Sequence, residues 1–405
     1  MRQVQSTPRI FLWNLDLLLL DRRGGANAFG RPDHVLACAA DLFVGAGDGR
    51  QGSELMNILF VDQFSEPGGG QRCLIDLLAG IERRGCAARV MAPGAGKLLQ
   101  WSRANGISTH QLPMAQYRNG SKTVRDAIRY AVDIPRVAAA IHGVVHRHAI
   151  DVVYVNGPRV LPATVGLSCP IMFHAHSVVA GAPRQVVQWS LQRTNATVMA
   201  ASGFVARDHR DARVIYSGVA DLQCGPRSFG ARPARIGILG RIAPEKGHLD
   251  FIRASEIIGG QAAFLIYGDT LFSDSTYYRA VRAAAANTPV QFCGWTDDVS
   301  AALRQLDILA VPSGPAEAAP RVIMEALSAG TPVVAYRSGG IPELIEHGRT
   351  GELTDPDAAS LARGILALIA APDRMARLSR SGREEWSQRF RVEMFRDNVW
   401  NLIDR

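Results

Sequence analysis

"NILFVDQFSEPGGGQRCLIDLLAGIERRGCAARVMAP", residues 57–93, decides the fold. Its first eight residues (57–64) form an apolar run without helical spacing and read as a buried strand. SEPGGG (65–70) is a glycine-rich turn. QRCLIDLLAGIERRG (71–85) spaces its apolar residues as an amphipathic helix closing on glycine, and AARVMAP (87–93) is the next strand. Strand, glycine loop, helix and strand in that order make a βαβ unit with parallel strands.

The same alternation runs on. DVVYVNG (151–157), PIMFHAHS (170–177), ATVMAAS (196–202) and ARVIYSGV (212–219) read as strands, with helical patterns such as 123–142 between them. DLQCGPRSFGARPA (221–234) has no periodicity and several Gly and Pro, so it reads as an interdomain linker. The pattern then restarts. RIGILGRI (235–242), AAFLIYGD (262–269), VQFCGW (290–295), LDILAVPS (306–313) and TPVVAYRSGG (331–340) are strands; HLDFIRASEII (248–258), YYRAVRAAAA (277–286) and RVIMEALSAG (321–330) are helices. The expected class is α/β, with two facing Rossmann-like, doubly wound parallel sheets and a ligand cleft at their strand C-termini. The expected domains are 56–220 and 235–383, joined by 221–234, with a last helical segment at 384–405. Residues 1–55 carry no such unit, and are expected to be a poorly ordered extension or a mis-assigned start.

Composition narrows the class. The chain has 405 residues, 47% hydrophobic and 20% charged, which suits a soluble protein of two domains. Ile10–Leu20, interrupted by Asn14 and Asp16, is too short and too polar to span a bilayer. Six cysteines without a C-x-x-C pair argue against a zinc site or disulfide framework and for a reducing cytosol. The net charge of +8 is uneven: residues 56–230 hold 19 Lys and Arg against 10 Asp and Glu, while residues 231–405 hold 20 against 21. A basic first domain predicts an anionic partner, either a membrane surface, a lipid diphosphate or a polyanion, but no nucleic acid.

Four features fall where the cleft would open. Gly69 and Gly70 lie between the first strand and helix, where backbone N–H groups approach an anion closely. Arg241 and Lys246, five apart across a strand-to-helix turn, can converge on one diphosphate. Glu317 and Glu325, before and inside the helix that Pro320 opens, can accept hydrogen bonds from sugar or ribose hydroxyls. His174 and His176 end a strand and share a face by its period of two, but no third ligand of suitable spacing accompanies them, so no metal is expected there. Asp355 and Asp357, a literal D-x-D, straddle a proline and read as a helix cap.

These residues together resemble a family. The GGxQ loop, G-R-x-x-x-E-K-G, E-x7-E and G-G-x-x-E-L-I-x-x-G-x-T-G are similar to the retaining glycosyltransferases of family 4, of GT-B fold, over about residues 56–405. The resemblance implies that Arg241 and Lys246 bind the diphosphate of a nucleotide-sugar donor, Glu325 the ribose, and Glu317 the transferred sugar. Ser313 and Arg321 join the donor-binding set, and His176, or His174, stands near the donor sugar. It implies no cofactor and no bound metal, and a last helix handed back to the first domain. Ala318-Ala319-Pro320 stands where the family often has an aromatic and a glycine, a departure expected to change the packing around the donor sugar. The implied activity is sugar transfer to a lipid-linked, glycan or polysaccharide-precursor hydroxyl, in the cytoplasm or peripherally at the inner membrane face. A nucleotide-sugar epimerase or hydrolase, or a non-catalytic binder of the same architecture, are the alternatives.

Overall fold

The computed structural model describes residues 55–405 apart from 67, 116, 118–123, 223–224, 226, 231–232 and 271–274. The segment 1–55 lies outside the described residues save for Leu55, and the linker 221–234 lies partly outside them.

The first sheet holds seven parallel strands: β1 (Asn57–Asp62), β2 (Ala87–Ala92), β3 (Ser108–Gln111), β4 (Val152–Asn156), β5 (Ile171–Ala175), β6 (Thr197–Ala200) and β7 (Arg213–Val214), in the order β3-β2-β1-β4-β5-β6-β7. The second holds six: β8 (Ala234–Leu239), β9 (Ala262–Tyr267), β10 (Val290–Gly294), β11 (Ile308–Val311), β12 (Val333–Tyr336) and β13 (Glu352–Thr354), in the order β10-β9-β8-β11-β12-β13. Helices cover both faces, so central strands are apolar on both sides. In β1, Leu59 and Val61 enter one core and Ile58 and Phe60 the other, as a period of two requires. The order of strand addition reverses once in each sheet, between β1 and β4 and between β8 and β11, and a crevice opens beyond the strand ends at such a point.

Three departures from the sequence reading have physical reasons. β3, Ser-Thr-His-Gln on an edge, has no fully buried residue and so no apolar run to betray it. β13 is only three residues long. The strand expected at 212–219 shrinks to Arg213–Val214, because the following residues leave the sheet and pair with the end of the chain. Val219 N donates to Phe390 O (2.9 Å) and Val392 N to Val219 O (3.2 Å). A Cβ on Gly218 would stand 2.5 Å from Val392 Cα, so these crossing segments meet only because residue 218 is glycine. Just beyond, the helix Val392–Ile403 inserts Phe395, Val399, Trp400 and Ile403 into the first-domain core beside Ile58, Phe60 and Leu74.

Candidate functional site

In the second domain, β8 stops at Leu239 and the chain turns through Gly240 (φ +142°) and Gly247 (φ +73°) into the helix His248–Ile258. Both angles are costly for any residue but glycine. A Cβ on Gly247 would lie 1.9 Å from Pro312 O, so this glycine lets the turn touch the loop that follows β11. Gly314 N donates to Glu245 O (2.8 Å) and ties the two loops together. Glu317 in that loop is fixed from the other side: Gly340 N donates to Glu317 O (2.9 Å), and a Cβ on Gly340 would stand 1.7 Å from Ala318 O. The outcome is a charged cluster at the β8/β11 switch point. Lys246 Nζ donates to Glu317 Oε2 at 2.6 Å with both side chains largely buried, and Arg241 Nη2 to Glu245 Oε1 at 2.8 Å. Ser313 is buried and lines a narrow crevice with Lys246 and Val322; its carbonyl accepts from Ser338 Oγ.

The helix Arg321–Ala329 starts after Pro320, with no side chain capping its first N–H groups, which leaves a positive dipole end at the same loop. Glu325 is buried one turn in and accepts from Arg321 Nε at 2.9 Å. Arg321, expected in the donor-binding set, also reaches across the fold. Its Nη1 sits 2.6 Å from Asp76 Oδ2 of the first domain and donates to Gly218 O (3.0 Å), so its guanidinium ties the second domain to the first. Burial pushes the Asp76 carboxyl above its ordinary range, and Arg321 pulls it back.

In the first domain, Gly69 and Gly70 open the helix Gly69–Leu78. A Cβ on Gly70 would reach within 3.1 Å of the His176 ring, so the glycine loop and the histidine touch. Asn156 Nδ2 donates to Asp62 Oδ2 and to Gly70 O (3.2 Å), which leaves its Oδ1 to accept from His176 Nε2 at 2.7 Å. This network assigns the proton of His176 to Nε2 and leaves Nδ1 with a free lone pair. Burial lowers His176 to about 4, so the ring is neutral. Asp62 is fully buried, and burial pushes it up to about 7 against hydrogen bonds from Asn156, Phe64 N and Gln71. His174, the other candidate, is wholly buried, 2.6 Å from Tyr154 Oη and tilted against His176 at 3.9 Å between centroids, so it is closed to solvent.

The structure also supplies the third group that spacing along the chain did not offer. Cys73 lies with the two histidines so that all three ligand atoms fall within 4.8 Å. Burial pushes its thiol up to about 12, and its Sγ rests 3.5 Å from Ser217 Oγ. Asp357 caps a helix, its Oδ1 accepting from Ser360 N at 2.8 Å. Asp62 and Asn156 escaped notice because no motif contains them; the available signal was a polar residue at the C-terminal end of each strand flanking the first switch point.

Comparison with known proteins follows this geometry. Residues 233–371, which carry the Lys246–Glu317 cluster, match the family model described as Glycosyl transferases group 1. The chain is similar to HepE of Anabaena in complex with UDP and glucose, with a TM-score of 0.73 and 25% identity, covering 86% of this chain and 99% of that one. The fold is GT-B. Among curated proteins, the lipopolysaccharide core biosynthesis glycosyltransferase LpsE of Rhizobium meliloti is 31% identical over 200 residues, 48% of this chain and 58% of LpsE. A GDP-mannose-dependent phosphatidylinositol monomannoside mannosyltransferase of Mycobacterium tuberculosis is 30% identical over 168 residues, 38% of this chain and 43% of the relative. The chain thus spans little more than half the length of these curated relatives, or less.

In this GT-B arrangement the C-terminal ends of both sheets meet. Arg321 reaches Asp76, and Lys97 Nζ reaches Asp297 Oδ2 at 3.2 Å. Glu343, from the G-G-x-x-E stretch, accepts from Gly203 N and Phe204 N at 2.6 Å each and from Tyr216 Oη at 3.0 Å, clasping the first domain from the second. Among the described residues, no helix is long and apolar enough to cross a membrane.

Proposed function

We propose that the chain is a nucleotide-sugar-dependent glycosyltransferase that retains configuration and moves a sugar to a hydroxyl of a lipid-linked, glycan or polysaccharide-precursor acceptor. The observation that carries this reading is the Lys246–Glu317 contact at the β8/β11 switch point, inside the segment that matches the glycosyltransferase model. Breaking a glycosyl–phosphate bond builds negative charge on the diphosphate and positive charge on the sugar ring. Arg241, Lys246 and the open helix start at Arg321 supply donors for the first charge, already oriented before reaction. Lys246 and Glu317 neutralise each other in their 2.6 Å contact. A diphosphate would take over Lys246 and free Glu317 to face the cation-like sugar. Glu325 would hold ribose hydroxyls with the oxygen that Arg321 leaves open. Across the cleft, the lone pair on His176 Nδ1 would accept from a sugar hydroxyl. No metal or cofactor enters this scheme.

The test is calorimetry of the full chain with UDP, GDP and ADP, beside Lys246→Ala. UDP comes first because the HepE structures hold UDP and UDP-glucose. One nucleotide should bind, and the alanine should weaken it by at least about tenfold, as loss of a charge-assisted hydrogen bond predicts. Equal binding by Lys246→Ala would remove the diphosphate from this turn. Donor breakdown at full rate without any acceptor would mark a hydrolase. The anomeric configuration of the product, read by NMR, decides retention.

A further inference from the structure

We propose that the outward faces of two first-domain helices, Val124–Arg147 and Ala182–Thr194, dock this domain onto an anionic lipid surface. Eight large hydrophobic side chains stand exposed among the described residues, and five of them lie on these two helices: Val124 (77% exposed), Ile128 (62%), Val132 (52%), Val186 (39%) and Trp189 (46%). Val124, Ile128 and Val132 recur every fourth residue and make one stripe along the longer helix. Arg125, Arg129 and Arg136 are exposed and line one flank of that stripe. The opposite face of the helix is spent on the core: Val137, Ile141 and Val144 pack there beside Val187 of the second helix. Both helices also rest on the turn Leu161–Thr164, so their outer faces look away from the same side of the sheet.

Charge selects the occupant. The longer helix has two acidic residues, Asp126 and Asp133, neither of them exposed, and Asp133 is engaged by Tyr117 Oη at 2.8 Å. The shorter helix has no Asp or Glu. Every exposed charged side chain on the two faces is therefore an arginine, and Arg193 lies 5.6 Å from the centre of the Trp189 ring. Apolar residues bordered by arginines, with a tryptophan at the edge, match a bilayer whose headgroups are anionic: the apolar groups enter the acyl boundary while guanidiniums pair with phosphates. A symmetric dimer through the same face would set arginine rows against each other without exposed carboxylates to meet them.

The full chain is sedimented with vesicles of phosphatidylglycerol and phosphatidylcholine in equal parts, and with phosphatidylcholine alone. Neither donor nor acceptor is needed, so the outcome is independent of the transfer reading. Binding is expected to the anionic vesicles only, to weaken with salt, and to fall at least about tenfold in Ile128→Glu and in Arg125→Glu/Arg129→Glu. Quenching of tryptophan emission by brominated lipid should drop in Trp189→Phe. All these positions are exposed, so unchanged circular dichroism and thermal melting serve as the folding control. Failure of the wild-type chain to bind, or undiminished binding by both charge variants, overturns the proposal. A dimer in solution that Ile128→Glu dissociates overturns it in favour of a second copy.

Discussion

At the scale of single residues, the candidate site depends on glycines as much as on charges. Lys246 and Glu317 come from loops that follow different strands and meet because Gly247, Gly339 and Gly340 let three backbones touch. Gly340→Ala would place a Cβ 1.7 Å from Ala318 O and push the Glu317 loop aside. We expect a loss of about 1–3 kcal/mol in denaturant unfolding, as for overpacking elsewhere, with a fall in kcat larger than any change in nucleotide affinity. An unchanged kcat would mean that the position of this loop does not govern the reaction. Glu317→Gln keeps a partner for Lys246 and removes the charge. Its kcat should drop by about two to three orders of magnitude, the usual effect of deleting one electrostatic contact to a transition state, while nucleotide affinity stays within about twofold, since the diphosphate contacts remain. Equal losses in affinity and rate would demote Glu317 to a residue that only positions Lys246.

At the scale of elements, the last helix decides whether the two domains behave as one. It leaves the second domain at Phe390–Val392, where it pairs with Val219, and its apolar face completes the core over β1 and the helix Gly69–Leu78. Trp400 is almost wholly buried there. Trp400→Ala should cost about 3–5 kcal/mol, the range for deleting a large core side chain, and the loss should appear in protection of first-domain amides from hydrogen exchange. Loss of protection confined to the second domain would contradict this packing. Arg321 works at the same scale: the resemblance placed it among the donor-binding residues, and its tertiary partner, Asp76, adds a link between the domains.

For the whole molecule, acid acts in two opposed directions: the buried histidines make it a stress, while the Asp62 carboxyl, pushed up to about 7 by burial, takes its proton in the folded chain first and offsets one of them over the same range. Burial holds His176 and His248 at about 4, against an ordinary value of 6.5, and lowers His174 in the same direction. Below 6.5 the unfolded chain therefore binds protons that the folded chain refuses, and stability falls as pH drops from 6.5 toward 4. Each such histidine adds a slope approaching about 1.4 kcal/mol per pH unit. Above 6.5 these histidines contribute no pH dependence. Thermal melts across that range should show the decline, and His248→Leu should decline less steeply; an unaltered slope would mean that His248 is not held neutral by burial.

The amino-acid sequence by itself determined the alternation of strands and helices, the two doubly wound sheets, and the glycine, arginine, lysine and glutamate at the mouth of the second. These were legible because burial on both faces writes apolar runs into central strands, and because ligands in such folds gather in the few residues after a strand end. The polar edge strand β3 and the three-residue β13 were not, since neither has enough buried positions to leave a pattern. Only the tertiary structure decided that His176 and not His174 is reachable, that Asn156 fixes its tautomer, that Cys73 joins the pair, and that Arg321 serves the domain interface. Each of those facts is a contact between residues far apart in the chain, and local periodicity carries no record of what a side chain meets across a fold.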